Sequence, residues 1–208
     1  MSDEAWEKMG TSYDAVADLY EERFLGELEA KGYDRRLLEG FAKASVGPIV
    51  ELGCGPGQVG AFLRSFGRTV IGIDLSVAMA TLAARRLSGA ITANMRLLPL
   101  TAGSVGGIVA FYSVIHLRRH ELEPAVAEMA RVLRPEGRLV LSAHEGDGEI
   151  ALNEFMGQRV PFVATLYRLE ELVAAAGACG LRLLRADRRP PHPSESPTER
   201  LYVEATTA

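Results

Sequence analysis

The stretch Ile49-Val50-Glu51-Leu52-Gly53-Cys54-Gly55-Pro56-Gly57-Gln58-Val59-Gly60 joins a short apolar run carrying one acid to a glycine-rich bend. Glycines at 53, 55 and 57 present no Cβ, so a ligand can approach the backbone, and a helix opening just after them offers unpaired N–H groups. A nucleotide-like cofactor can lie across such a turn. Asp74 closes the next apolar run, Thr69-Val70-Ile71-Gly72-Ile73-Asp74-Leu75. It falls about 20 residues beyond Gly55, where the acid of a dinucleotide-binding unit meets a ribose. Two histidines stand where acid–base work could be done, because imidazole changes charge near neutral pH. His116 lies in Tyr112-Ser113-Val114-Ile115-His116-Leu117 and His144 in Ala143-His144-Glu145-Gly146, each just past an apolar run. The plainer roles are a helix-start histidine at 116 and a loop-ordering His-Glu pair at 144 and 145. His120 and His192 read as surface residues.

These residues need a frame, and the hydrophobic pattern supplies it. Tyr13, Val16, Ala17, Tyr20 and Phe24 recur on one helix face, and Leu37, Leu38 and Phe41 begin a second helix. From Pro48 onward strands and helices alternate: a strand at about 49–53, a helix from about 57, a strand at about 69–75 and a helix at about 77–87. A short strand at about 90–93 follows, then an apolar one at 105–112. Leu122, Ala125, Val126, Met129 and Val132 form the stripe of a further helix, which Arg134-Pro135-Glu136-Gly137 should end, before a strand at 138–143. Such a βαβ series implies a parallel sheet. Residues 146–166 break the rhythm and read as an insertion at the carboxyl end of that strand, where ligands of open α/β sheets bind. A helix at about 169–176 should stop at Gly177. Two strands at 181–186 and 201–205 flank Arg189-Pro190-Pro191-His192-Pro193, a link too short for a crossover helix, so they should pair antiparallel.

The two motifs resemble the first two strands of class I S-adenosylmethionine (SAM) dependent methyltransferases, in the manner of the small-molecule, methyltransferase-11-like members. Glu51 before the glycines, the segment Glu128-Met129-Ala130-Arg131-Val132-Leu133-Arg134-Pro135-Glu136-Gly137-Arg138-Leu139 and the closing antiparallel pair all match that family, over about two thirds of the chain. The resemblance implies a Rossmann-like α/β fold: a seven-stranded, mostly parallel sheet with an antiparallel C-terminal strand pair and helices on both faces. It implies that Asp74 accepts from both ribose hydroxyls of the cofactor, with Ser76 capping the next helix. Gly53, Gly55 and Gly57 would pass beneath the methionine portion and ribose, and Glu51 would support the loop or, through water, the ammonium. Asn94 stands where the family commonly has an acid facing the adenine amino group; its amide oxygen can still accept. Leu75 and Met95 would sandwich the adenine, with core packing the alternative for Met95. Phe111 would bring its backbone near the methionine group. Tyr-Asp-Ala-Val-Ala-Asp-Leu-Tyr, from Tyr13 to Tyr20, resembles the family's lid, whose hydroxyls could reach the cofactor carboxylate; packing on the core is the alternative.

The chain has 208 residues, is 48% hydrophobic and carries a formal net charge of −4. That fits a single domain over 1–208, with a helical lid at 1–45 and an acceptor-site insertion at 146–166. The charge argues against a broad nucleic-acid surface. Pairs such as Arg35-Arg36, Arg85-Arg86 and Arg118-Arg119 read as solvated helix faces. Cys54 and Cys179 show no metal spacing and read as reduced thiols, so no metal is expected. With no apolar signal core or membrane span, a cytoplasmic location is expected, as a monomer or homodimer. The expected reaction moves a methyl group from SAM to a small-molecule acceptor, giving S-adenosylhomocysteine (SAH). A NAD(P)-dependent oxidoreductase and a non-catalytic SAM-binding protein are the rival readings.

Overall fold

Neighbouring residues of a strand face opposite ways, and here each face of the sheet has its own cover. Val50, Leu52 and Ile108 pack with Leu122, Val126 and Met129, whereas Ile49, Val70 and Val109 pack with Leu38, Phe41 and Leu63. The computed structural model describes residues 3–193 and 195–208. Helices α1 (Asp3–Phe24) and α2 (Gly32–Ala44) precede the sheet, separated by a short 3₁₀ turn at Glu27–Ala30. The alternating series then runs β1 (Ile49–Leu52), α3 (Gln58–Arg64), β2 (Val70–Asp74), α4 (Val77–Ala84), β3 (Gly89–Thr92), β4 (Val105–Phe111), α5 (Arg119–Val132) and β5 (Leu133–His144). It closes with β6 (Glu149–Leu152), β7 (Phe162–Thr165), α6 (Leu169–Ala178), β8 (Arg182–Arg189) and β9 (Arg200–Thr206).

The seven-stranded sheet has the order β3-β2-β1-β4-β5-β9-β8. Strands β3 to β5 are parallel, and β9 runs antiparallel between β5 and β8, with Ser142 opposite Tyr202. This is the expected α/β architecture. After β1 the chain builds outward in one direction through β2 and β3, then returns to place β4 on the other side. The loops after β1 and β4 therefore diverge and open a crevice at the strands' carboxyl ends.

Several boundaries differ from the sequence reading. Helix α5 ends at Val132 rather than in the Pro-Glu-Gly turn, and the strand backbone already begins at Leu133. The cause is Pro135, which keeps Arg134 out of the helical region. Glu136 carries the turn instead, at φ +60° inside a bulge between Val105 and Gly107 of the partner strand. Helix α6 continues through Gly177 to Ala178, and Gly180, at φ +75°, takes the left-handed position. The segment read only as an insertion contains an antiparallel hairpin, β6 with β7, pairing Ile150 with Ala164. No helix among the described residues is long and apolar enough to cross a membrane.

Candidate active site

Gly53, Gly55 and Gly57 all adopt positive φ, at +63°, +51° and +90°. A side chain at Gly53 would also collide: its Cβ would stand 2.3 Å from that of Ser113, whose hydroxyl donates to the carbonyl of Leu52 at 2.6 Å. The loops after β1 and β4 are thus locked together at van der Waals distance. Asp74, at the end of β2, accepts from Gly55 N–H at 2.8 Å through one carboxylate oxygen and from Ser76 N–H at 2.9 Å through the other. Each oxygen keeps a lone pair. Removal from bulk water raises the Asp74 carboxyl to about 6, against the lowering effect of these N–H groups. Glu51 is buried and accepts from Gly60 N–H at 2.8 Å, pinning the first turn of α3 to β1; burial, reinforced by the charge of Asp74, holds it well above the usual carboxylate range. Cys54 is buried against Gly72, where it serves as a small apolar filler.

One cavity of about 700 Å³ takes in all the residues that the sequence singled out as site candidates except Gly57. Gly57 instead packs beneath α4, where an added Cβ would approach Ala83 to 3.2 Å. Leu75, Asn94 and Met95 form the β2–β3 side of the cavity, and Phe111 stands at the end of β4. The Asn94 amide oxygen already accepts from Arg96 N–H at 3.0 Å, so one lone pair is left for any further donor. Helix α1 closes the top. Its Asp14 accepts from Ser76 Oγ at 2.5 Å and from Ala78 N–H at 2.9 Å, while Ser76 caps α4 by accepting from Met79 N–H at 3.0 Å. Glu21 reaches Arg86 at 2.6 Å. Arg86 is therefore a half-buried tie between α1 and α4 and not a solvated charge, because its guanidinium also donates to the carbonyl of Pro56.

The two histidines take different positions on this wall. His116 Nδ1 lies 2.8 Å from the carbonyl of Val163, which can only accept, so Nδ1 carries the proton and Nε2 is an acceptor. Tyr13 fills it, donating its hydroxyl at 2.8 Å. The Tyr13 hydroxyl is therefore spent on His116 instead of being free for a cofactor carboxylate, while that of Tyr20 has no protein partner among the described residues. His144 bonds through Nδ1 to Thr198 Oγ1 at 2.9 Å, and its Nε2 has no partner among the described residues. Burial lowers both imidazoles to about 4, aided at His144 by the charge of Arg200, so both are neutral at pH 7.

Sequence reasoning missed much of the far wall. Tyr112, at φ +55°, presents its ring to His144 with centroids 5.4 Å apart. Its hydroxyl meets that of Tyr202 at 2.6 Å. Tyr202 in turn donates to Asp34 at 2.6 Å and accepts from Arg189 at 3.0 Å, so Tyr112 must be the donor of the first bond. Lys31, at the start of α2, bridges Glu27 at 2.6 Å and Glu195 at 3.1 Å. Contrary to expectation, His192 is half-buried and lines the cavity, and its Nε2 is enclosed without a partner among the described residues. So is the amide oxygen of Gln58, directly after the glycine bend. The proline-rich link gave no hint of this, because the residues it meets include Lys31 just before α2 and His144 at the end of β5, both far away in sequence.

A family model described as a methyltransferase domain matches residues 50–141. An uncharacterized methyltransferase of Oceanobacillus iheyensis is 32% identical over 131 residues, 60% of this chain and 61% of that protein. One from Bacillus mycoides is 30% identical over 144 residues, 64% of this chain and 68% of the relative. The chain thus spans between three fifths and about two thirds of the length of these relatives. Among solved structures, the 1,6-didemethyltoxoflavin-N1-methyltransferase of Burkholderia thailandensis superposes with a TM-score of 0.77 over 100% of this chain and 91% of its own, at 18% identity, a likeness of fold. The glycine bend, the strand order and these matches agree: the chain belongs to the class I SAM-dependent methyltransferase family.

Proposed function

We propose that this protein transfers the methyl group of SAM to a small-molecule acceptor, leaving SAH. The observation that carries the reading is the single cavity that runs from the Asp74 carboxylate and the glycine bend to the two neutral histidines, roofed by α1. Cavities of about 300 to 1,000 Å³ hold ligands of this kind, and this one has room for a cofactor and a compact acceptor end to end. The solved relative acts, by its description, on 1,6-didemethyltoxoflavin, which is consistent with a small acceptor here.

The residues fit such a cofactor. Asp74 has the lone pairs to accept from two ribose hydroxyls, and Gly55 leaves free the space that a side chain would fill between Tyr20 and Gln58. The orphaned amide oxygen of Gln58 is placed for an ammonium donor, a role closer to hand than that of Glu51, which is spent on Gly60. Leu75 and Met95 offer apolar surfaces for adenine, with Asn94 at the edge. When bound, SAM supplies an already activated methyl group, so alignment and exclusion of water are what the protein must add. The roof formed by α1 and Tyr13 provides the exclusion. Between the histidines, His144 is the one with an open ring nitrogen facing the acceptor end, whereas His116 would first have to lose Tyr13.

Titration calorimetry with SAH, NAD(H) and NADP(H) tests the cofactor. Binding of SAH and indifference to the dinucleotides is the expected result; the reverse overturns the reading. With a converted acceptor in hand, His144→Ala should abolish turnover while SAM binding persists and His116→Ala should not. Full activity in both variants would remove both histidines as bases.

A further inference from the structure

The acceptor end of the cavity is built from rings. On one side Phe155 and Phe162 stack nearly parallel, 17° apart with centroids at 4.5 Å; Tyr13 meets Phe155 edge-on at 5.6 Å, and His116 meets Phe162 at 5.5 Å. A second ring pair, Tyr112 and His144, tilted by 38°, lines the same cavity. Among the described residues no ring contact joins the two sides, although both line the same cavity. Phe155 and Phe162 are only half-buried. They belong to the hairpin region; Phe162 packs on the main core with part of its ring, and both leave ring surface along the cavity. The polar features beside them are specific too. Among the described residues neither His144 Nε2 nor His192 Nε2 has a partner, so two imidazole nitrogens remain for hydrogen bonds. The cations beside them have partners: Lys31 pairs with Glu27 and Glu195, and Arg200 donates to the carbonyls of Ser196 and Thr198 and lies 3.7 Å from Glu195.

Resting on the methyl-transfer reading, we infer that the acceptor is a flat, uncharged aromatic or heteroaromatic molecule bearing a hydroxyl or N–H group, held between the Phe155–Phe162 wall and the Tyr112–His144 wall. Rings gain offset-stacked and edge-to-face contacts that a puckered molecule of equal size cannot make. A carboxylate would have to compete with Glu27 and Glu195 for Lys31 and would also bear the desolvation cost of its own burial.

The test uses three probes on the SAH-loaded protein, followed by titration calorimetry at pH 7.5: 1-naphthol, its saturated counterpart decahydro-1-naphthol, and 1-naphthoate. 1-Naphthol should bind saturably and at least fivefold more tightly than either of the others. In Phe162→Leu, which keeps apolar bulk but removes the ring, its advantage over the saturated alcohol should fall below twofold while SAH affinity changes less than twofold; Phe155→Leu should behave alike and covers the case in which one variant does not fold. Equal binding of both alcohols, tighter binding of 1-naphthoate, no binding of 1-naphthol, or an undiminished preference in folded leucine variants overturns the inference. Failure of the wild-type protein to bind SAH is a separate result, which brings down the methyl-transfer reading itself.

Discussion

Asp74 shows how one side chain can be read from spacing and still surprise in its state. Its position at the end of β2 was legible from the apolar run that it closes, and the ribose role proposed for it follows from that position. Its elevated carboxyl was not, since that depends on the roof supplied by α1. Ribose hydroxyls donate to the ionised form, so binding should favour loss of the proton. With the free group titrating at about 6, SAH affinity should be flat above about pH 7 and fall below pH 6, approaching about tenfold per pH unit. Calorimetry between pH 5 and 8 measures this, and Asp74→Asn should flatten the profile. Asp74→Ala should cost about 2 to 4 kcal/mol of SAH binding, the worth of two hydrogen bonds to a charged group; an unchanged dissociation constant would remove Asp74 from the site. Tyr13 supplies a contrasting case. Its helical register marked it as a lid residue, yet its partner is His116, more than a hundred positions away. Tyr13→Phe strands His116 Nε2 without a donor and should lower stability by about 1 to 3 kcal/mol, read from the urea midpoint at constant slope. Tyr112, Glu195 and Arg200 were illegible for a related reason: ordinary local sequence gives no sign of pairings made across the sheet.

The elements were more legible than their contacts. Periodicity places every strand of the parallel half and the helices between them, and the short terminal link correctly implies an antiparallel pair. What it does not convey is how closely elements approach. Gly106 and Gly107 in the middle of β4 look like a weakness in a central strand, since glycine gives a strand little to pack. The structure supplies the reason: the segment after α2 crosses so near that a Cβ on Gly106 would sit 1.8 Å from the carbonyl oxygen of Val46, and one on Gly107 would lie 2.8 Å from the ring of Phe41. Backbone cannot give way as a flexible side chain can. Gly106→Ala should therefore cost about 3 kcal/mol or more, at the upper end of overpacking, while Gly40→Ala, with open space around it in α2, should cost nothing and gain slightly in helix propensity. Denaturant unfolding of the two variants side by side checks the contrast. The β6–β7 hairpin escaped notice because its exposed strand shows no alternation of buried and exposed residues: every residue of β6 faces solvent. Helix α1 depends on a similar hidden tie. Asp14→Ala removes the acceptor for Ser76 Oγ and Ala78 N–H, and about 1 kcal/mol of stability with it. Because α1 also carries Tyr13 and Tyr20, SAH affinity should decline in the same variant.

At the scale of the whole molecule, the proposed cofactor site is a seam. The sheet contributes Asp74, the β1–α3 bend and Phe111, α1 contributes the roof, and the hairpin region with the terminal link contributes the far wall. The ligand should then add contacts between parts of the chain that already pack on one another, as Ala17 of α1 does on Met79 and Leu82 of α4. That coupling has a thermodynamic signature. Any ligand that binds only the folded state stabilises it by RT ln(1 + [L]/Kd), about 2.7 kcal/mol at a hundredfold excess over Kd. For a domain of this size each kcal/mol moves Tm by about 2 to 4 °C, so saturating SAH should raise Tm by about 5 to 11 °C in scanning calorimetry. NAD(H) at the same concentration should leave it unmoved. Asp14→Ala, which loosens the roof without touching the sheet, should start from a lower Tm and show a smaller rise at the same SAH concentration. If SAH instead raised the Tm of Asp14→Ala as much as that of the wild type, the roof would not be part of the binding surface, and the site would reduce to the crevice at the ends of β1, β2 and β4.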